Sequence, residues 1–217
     1  MRRNNSDIIW SPELGYIVGL ITTDGNLSKD GRHFDFTSKD IDQVKNFKNI
    51  LGLSNKISLK KSSYAKRRTY YRIQFGNVNL YRFLIEIGLH PNKSKSLEEL
   101  KVPDEYFIDF IRGFLDGDGF TNSFWDKRWK NSFMIYTGFV SASKKHLEWI
   151  QNKIFKLYNI NGSLKFNGKS TYRLMYAKRA SEKLLKLIYY KKDLIFLKRK
   201  KYKIDKALDI IQKMREC

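Results

Sequence analysis

Two aspartates stand where an isolated helix would not choose a carboxylate. Asp24 in LITTDGNL and Asp118 in FLDGDGFT each end an apolar, helix-like stretch and each precede a glycine. A helix presents the negative pole of its macrodipole there, so a carboxylate is unfavourable unless a cation joins it. The exposed carbonyls and the carboxylate together make a focus for a hard cation. Read singly, either Asp-Gly pair is an ordinary helix stop, with the glycine at positive φ. The pair recurs 94 residues on, and IVGLITTDG (Ile17 to Gly25) aligns without a gap over IRGFLDGDG (Ile111 to Gly119). A choice made twice argues for chemistry.

The elements that must position these residues repeat as well. FTSKDIDQV (Phe36 to Val44) lies over FVSASKKHL (Phe139 to Leu147), and YRIQFGNVNLYRFL (Tyr71 to Leu84) over YRLMYAKRASEKLL (Tyr172 to Leu185). Two long copies predict two similar domains, residues 1–97 and 98–217. In each, a helix apolar on most faces ends at the Asp-Gly pair. Gly15 and Gly19 share one face of the first helix and let another helix approach closely; Gly113 repeats the second of them. Strand-like material follows (Arg32 to Thr37; Ser132 to Ser141), then a helix (Asp40 to Leu51; Lys144 to Tyr158) with Asp40 and Ser143 as N-caps. A hairpin comes next: Lys56 to Lys61 returning through Arg68 to Phe75, and Ser163 to Asn167 returning through Thr171 to Tyr176. A third helix closes each copy (Asn79 to Ile87; Ala180 to Tyr190), and a further one, Lys198 to Met214, ends the chain. The expected fold is α+β, α-β-β-α-β-β-α in each copy. Alternation in TYYRIQF puts Tyr70, Arg72 and Gln74 on one face of a strand and Tyr71, Ile73 and Phe75 on the other.

Composition narrows the partner. The 217 residues carry 43 basic and 22 acidic side chains, a net charge of +21, which calls for a polyanion. Basic residues interleave with aromatics in SLKKSSYAKRRTYYRIQF and SLKFNGKSTYRLMYAKR, as nucleic-acid binding requires. The one cysteine, Cys217, excludes an intrachain disulfide and a Cys-rich zinc site and suits a reducing compartment, such as bacterial cytoplasm or an organelle matrix. No run of about 18 apolar residues suggests a membrane span, and the first residues lack a signal-peptide core.

The two aligned segments resemble the paired signature of the LAGLIDADG homing endonucleases in their single-chain, two-repeat, monomeric form. The resemblance extends over nearly the whole chain and includes the link LHPNKSKSL…VP…YFIDFIRGFLDGDGF; Thr22 replaces the first acid of the signature in the first copy. It implies a two-helix domain interface with small residues at the contact, and saddle-shaped antiparallel sheets in the DNA major groove. It further implies one phosphodiester hydrolysed in each strand of a long, nearly asymmetric duplex target across the minor groove, leaving short 3′ overhangs.

The implied cofactor is Mg²⁺, with Mn²⁺ or Ca²⁺ able to take the same sites and Ca²⁺ giving no turnover. Mg²⁺ takes one or two protein carboxylates and leaves other positions to water and phosphate. One acid per copy, Asp24 and Asp118, meets that need; the resemblance adds the carbonyls of Thr23 and Gly117 as ligands. It also asks for one lysine per copy beside the phosphate: Lys93, with Lys95 as the alternative, and Lys200, with Lys198. Arg67, Arg68, Tyr70, Arg72, Gln74, Lys165, Asn167, Arg173 and Lys178 are the expected DNA contacts, since Arg pairs with guanine and Gln with adenine. Asp116 is structural or an outer-shell group. His33, His90 and His146 lack metal spacing and serve packing or the surface; Trp125 and Trp129 are either core or, the preferred reading, a DNA-facing loop. Rival readings are an intron-RNA maturase of the same fold, a regulator without catalysis and a ribosomal-type basic protein.

Overall fold

The computed structural model describes residues 8–61, 69–129, 131–168 and 170–216. The first copy runs α1 (Pro12–Asp24), β1 (Gly25–Leu27), β2 (His33–Ser38), α2 (Ile41–Ile50), β3 (Ser58–Lys61), β4 (Thr69–Gly76) and α3 (Val78–Glu86). One 3-10 turn, Asp104–Tyr106, leads into the second: α4 (Phe107–Asp118), β5 (Gly119–Trp125), β6 (Phe133–Ser141), α5 (Lys144–Tyr158), β7 (Ser163–Gly168), β8 (Thr171–Ala177) and α6 (Arg179–Ile188). Helix α7 (Lys198–Glu216) follows. Each copy is thus α-β-β-α-β-β-α, with four antiparallel strands in the orders β1-β2-β4-β3 and β5-β6-β8-β7. The two registers correspond residue by residue where the site is built: Gly25 faces Phe36, and Gly119 faces Phe139. No described helix is long and apolar enough to cross a membrane.

Helix α1 starts where Ser11 accepts a hydrogen bond from the Leu14 amide at 3.1 Å, with Pro12 at the first helical position, a favoured N-terminus. Every residue from Gly15 to Thr22 is buried. The sequence is apolar nearly all round because the helix has partners nearly all round. Its main partner is α4. A Cβ on Gly19 would lie 2.2 Å from the Phe110 carbonyl oxygen, and one on Gly113 would lie 2.1 Å from the Tyr16 carbonyl oxygen. Both glycines are therefore required for backbone-to-backbone approach.

The glycines after the aspartates have a different reason from the one expected. Gly25 has φ −89° and Gly119 φ −83°, so neither needs the left-handed region. A Cβ on Gly25 would come 2.7 Å from Cα of Ile21, and one on Gly119 2.6 Å from Cα of Leu115. Each strand leaves its helix so sharply that a side chain would strike the preceding turn.

A polar network the sequence did not announce lies inside this apolar interface. Asp109 and Arg112, both 2% exposed, pair at 2.6 Å. Arg112 Nε donates to the Ile195 carbonyl at 3.0 Å, and its guanidinium lies over the Tyr16 ring. Removing one partner of such a pair leaves a buried charge, at a cost of about 3–5 kcal/mol.

Two further expectations are corrected. Asp40 precedes α2, but its side chain makes no capping bond; both oxygens accept from Arg199, at 3.0 and 2.8 Å. A bidentate guanidinium is the stronger partner for a carboxylate, and it ties α7 to the other copy. Ser143 does cap α5, accepting from the His146 amide at 3.3 Å. Trp125 is the last residue of β5, and Trp129 lies in the turn beyond it.

Candidate active site

Packing α1 beside α4 brings their C-terminal ends together, and with them Asp24 and Asp118. Both line one cavity of about 460 Å³, together with Gln43, Asp116, Gly117 and Lys200. A second cavity of about 300 Å³ opens on the other side of the helix pair, lined by Thr22, Thr23, Lys93, Asp118 and His146. The two cavities are related by the repeat: Gln43 in the first occupies the place of His146 in the second, three residues beyond Asp40 and Ser143 respectively. Thr23 and Gly117 meet across the interface, where a Cβ on Gly117 would fall 1.9 Å from the Thr23 hydroxyl.

The charges in this space are strongly coupled. Burial, then the charge of Asp118, pushes the Asp24 carboxyl up to about 7, against the pull of Lys200 and Lys93. Burial also raises Asp118, opposed by the same two lysines. Burial brings Lys93 and Lys200 down to about 8, with the carboxylates opposing. Two carboxylates that resist ionising side by side suit an added cation.

Of the four lysines raised by the sequence, Lys93 and Lys200 are enclosed, whereas Lys95 and Lys198 are exposed. The Lys200 ammonium donates to three carbonyls at the end of α4: Leu115 at 2.7 Å, Gly117 at 2.8 Å and Gly119 at 2.7 Å. Lys93 donates to the equivalent of the last of these, the Gly25 carbonyl. The Gly117 carbonyl expected to face a metal thus accepts from an ammonium here.

Asp116 is buried and held from two directions. Its Oδ2 accepts from the Tyr16 hydroxyl at 2.9 Å and from the Leu197 amide at 2.7 Å. It therefore locks α1 and the start of α7, the helix that delivers Lys200. Burial raises its carboxyl to about 6, partly offset by the Leu197 amide.

Sequence reasoning missed Gln43. Its Oε1 accepts from Ser38 at 3.0 Å, and its Nε2 approaches Asp24 Oδ2 at 3.4 Å. The available signal was its place beside Val44 on the apolar side of α2, which marks it as inward-facing but does not show that it reaches Asp24. His146 is buried among Phe110, Phe114 and Trp149, with Nδ1 donating to the Glu98 carbonyl at 2.6 Å. His33 pairs with Asp30 at the surface, and His90 contacts its neighbour Pro91. Among the described residues no three His, Cys, Asp or Glu side chains converge as a metal site. Protein donors for a divalent ion would be the two aspartates and main-chain carbonyls, a hard oxygen set that fits Mg²⁺ or Mn²⁺.

Of the expected DNA contacts that are described, all but Lys178 lie on the sheets. On β4, Ile73 and Phe75 are buried while Tyr70, Arg72 and Gln74 look out. On β7 and β8, Lys165, Asn167 and Arg173 are exposed, with Lys165 directly opposite Arg173. Asn167 also donates to Thr171 at 3.4 Å within the hairpin. Lys178 is exposed just beyond β8. Arg67 and Arg68 lie outside the described residues.

Comparisons with known proteins agree with this fold. A family model for a LAGLIDADG-like domain matches residues 11–88. An uncharacterized protein of Methanocaldococcus jannaschii is 34% identical over 125 residues, which are 54% of this chain and 42% of that protein. The chain therefore spans less than half the length of this curated relative. Among solved structures, the homing endonuclease I-WcaI bound to its DNA recognition sequence matches with TM-score 0.62 at 16% identity, over 89% of this chain and 87% of the other. The N-terminal LAGLIDADG domain of WhiA matches at 0.55 and 16%, over 94% and 91%. I-DmoI in complex with DNA and Mn matches at 0.53 and 18%, over 83% and 98%. At these identities the likeness is one of fold.

Proposed function

We propose that this chain, whose residues 11–88 are a LAGLIDADG-like domain and whose two repeats share the fold of the single-chain homing endonucleases, is a site-specific, metal-dependent DNA endonuclease. The observation that carries the reading is the meeting of Asp24 and Asp118 in one cavity, each from the end of an equivalent helix. A fold alone does not fix a function; two acids brought from separate repeats to one point, with a lysine at each helix end, support one.

The chain's own residues divide the work of phosphodiester hydrolysis. Asp24 and Asp118, with main-chain carbonyls beside them, would hold divalent metal, which supplies an activated water and neutralises charge on the leaving oxygen. Gln43 fixes the orientation of the Asp24 carboxylate. Lys200, pinned on three carbonyls, and Lys93, pinned on Gly25, place positive charge beside the scissile phosphates without having to reorganise. The basic sheet faces hold the duplex, and side chains such as Arg72 and Gln74 read base edges in the major groove. Mg²⁺ is the expected ion, and cleavage of both strands of one long target is the expected outcome.

A second reading is a DNA-binding protein that does not cut. The likeness to the WhiA domain favours it, since it shows that this fold is not confined to proteins described as endonucleases. Both aspartates are present, which favours cutting. The two are separated by incubating the protein with a randomised duplex library and Mg²⁺. Recovery of one cleaved sequence supports the endonuclease; enrichment of a bound but intact sequence supports the regulator.

A further inference from the structure

A carboxylate sits in the middle of the cationic face of the first sheet. Asp35 on β2 points to the same side as Tyr70, Arg72 and Gln74, because β2 alternates with Phe34 and Phe36 inward. On a surface meant for phosphates a negative charge is costly unless it acts through a neighbour. Its neighbours are named by geometry. Asp35 Oδ2 pairs with Arg72 Nη2 at 2.6 Å and lies 3.7 Å from Lys60 Nζ, while Oδ1 accepts from the Thr37 hydroxyl at 3.0 Å. Both carboxylate oxygens are committed, and the side chain is 15% exposed.

The guanidinium is left with one useful edge. Arg72 Nε is buried and has no hydrogen-bond partner among the described residues. Nη2 retains a second hydrogen, no described residue accepts from Nη1, and the side chain is 28% exposed, so the Nη end is available as a forked donor. A freely moving arginine has many ways to meet a phosphate. One clamped by a carboxylate presents a fixed fork, which matches the paired acceptors O6 and N7 of guanine.

The second repeat supplies an internal contrast. Arg173 occupies the place of Arg72, opposite Val140 as Arg72 is opposite Thr37. The position of Asp35 is taken by Gly138, and that of Asn26, its cross-strand neighbour, by Phe120. Arg173 accordingly rests 5.4 Å over the Phe120 ring, a contact that sets the height of the cation but does not fix its hydrogen-bonding edge.

We propose that Asp35, clamped by Thr37, is a positioning residue that commits Arg72 to reading one guanine in the half of the target facing the first repeat. Arg173, without such a clamp, discriminates less at the equivalent place in the other half. The inference rests on the DNA-binding part of the proposed function and is independent of cleavage.

The test is a metal-free binding selection of full-length protein on a randomised duplex library. Arg72→Ala identifies the base pair concerned, as the position whose guanine preference disappears. Asp35→Asn is expected to lower the preference at that same pair by roughly 5- to 100-fold, with other positions unchanged. Thr37→Val, which frees one carboxylate oxygen and keeps the charge, is expected to give a smaller loss at the same pair and carries the test if Asp35→Asn does not fold. Guanine preference undiminished in Asp35→Asn (or, where that variant does not fold, in Thr37→Val), or a preference weakened equally at all positions, would overturn the proposal. If the wild-type protein itself enriches no sequence, the DNA reading falls and this inference with it.

Discussion

At the scale of residues, the site is set by what burial does to charge. Asp24 and Lys200 are each driven toward neutrality, yet each faces the other's charge. Replacing Lys200 with Met should slow cleavage about 100-fold or more while leaving duplex affinity nearly unchanged; single-turnover rates beside equilibrium binding would separate the two. His146 gives a cleaner statement about pH. Burial lowers it from 6.5 to about 4, so the unfolded chain takes up this proton first. Its contribution is intact above pH 6.5, and stability is lost as pH falls from there toward 4, by roughly 3 kcal/mol in all. Asp24 and Asp116, raised by burial, carry a slope of opposite sign. The expected observation is therefore a difference: His146→Gln, which copies Gln43 of the first repeat, should lose less stability than the wild type between pH 6.5 and 4 in denaturant titrations. Equal losses would show that His146 does not titrate as described.

At the scale of elements, the repeated apolar helices, their glycines and the strand alternation were legible in the sequence, because each is a local pattern with a fixed period. Gly19 and Gly113 stood out for the same reason, and both lie at the closest approach of α1 and α4. What stayed hidden depends on distant chain segments. Nothing near Asp40 shows that Arg199 will claim its carboxylate, nothing near Asp116 shows that the Leu197 amide and the Tyr16 hydroxyl will hold it, and Gln43 gave no sign of reaching Asp24. Gly25 was read as a conformational need, whereas the turn before it sets a steric one. The helix contact is open to test through Gly113→Ala. The added methyl meets backbone atoms, the Tyr16 oxygen at 2.1 Å and the Leu20 nitrogen at 3.0 Å, which cannot rotate away. Alanine favours a helix by up to about 1 kcal/mol over glycine, but overpacking should outweigh it, for a net loss of about 1–2 kcal/mol in chemical denaturation. A stabilised variant would mean that the helices are less tightly apposed.

At the scale of the whole molecule, a charge of +21 on a chain whose two sheets both present basic residues makes a polyanion spanning both halves the partner expected under the proposed function. If six to ten phosphates are neutralised, affinity for a long duplex should fall by about 10³-fold or more between 50 and 200 mM salt; a flat dependence in equilibrium titrations would exclude that mode of binding. Each repeat contributes one helix end, so the proposed function gives one carboxylate to each strand. The most direct measurement is strand-resolved cleavage of a target selected by the wild-type protein, with and without Mg²⁺, for wild type, Asp24→Asn and Asp118→Asn. The expected result is cleavage of both strands by the wild type only when Mg²⁺ is present, and loss of double-strand cleavage in each variant with binding retained. Unchanged double-strand cleavage by both variants would contradict a catalytic centre at the ends of α1 and α4.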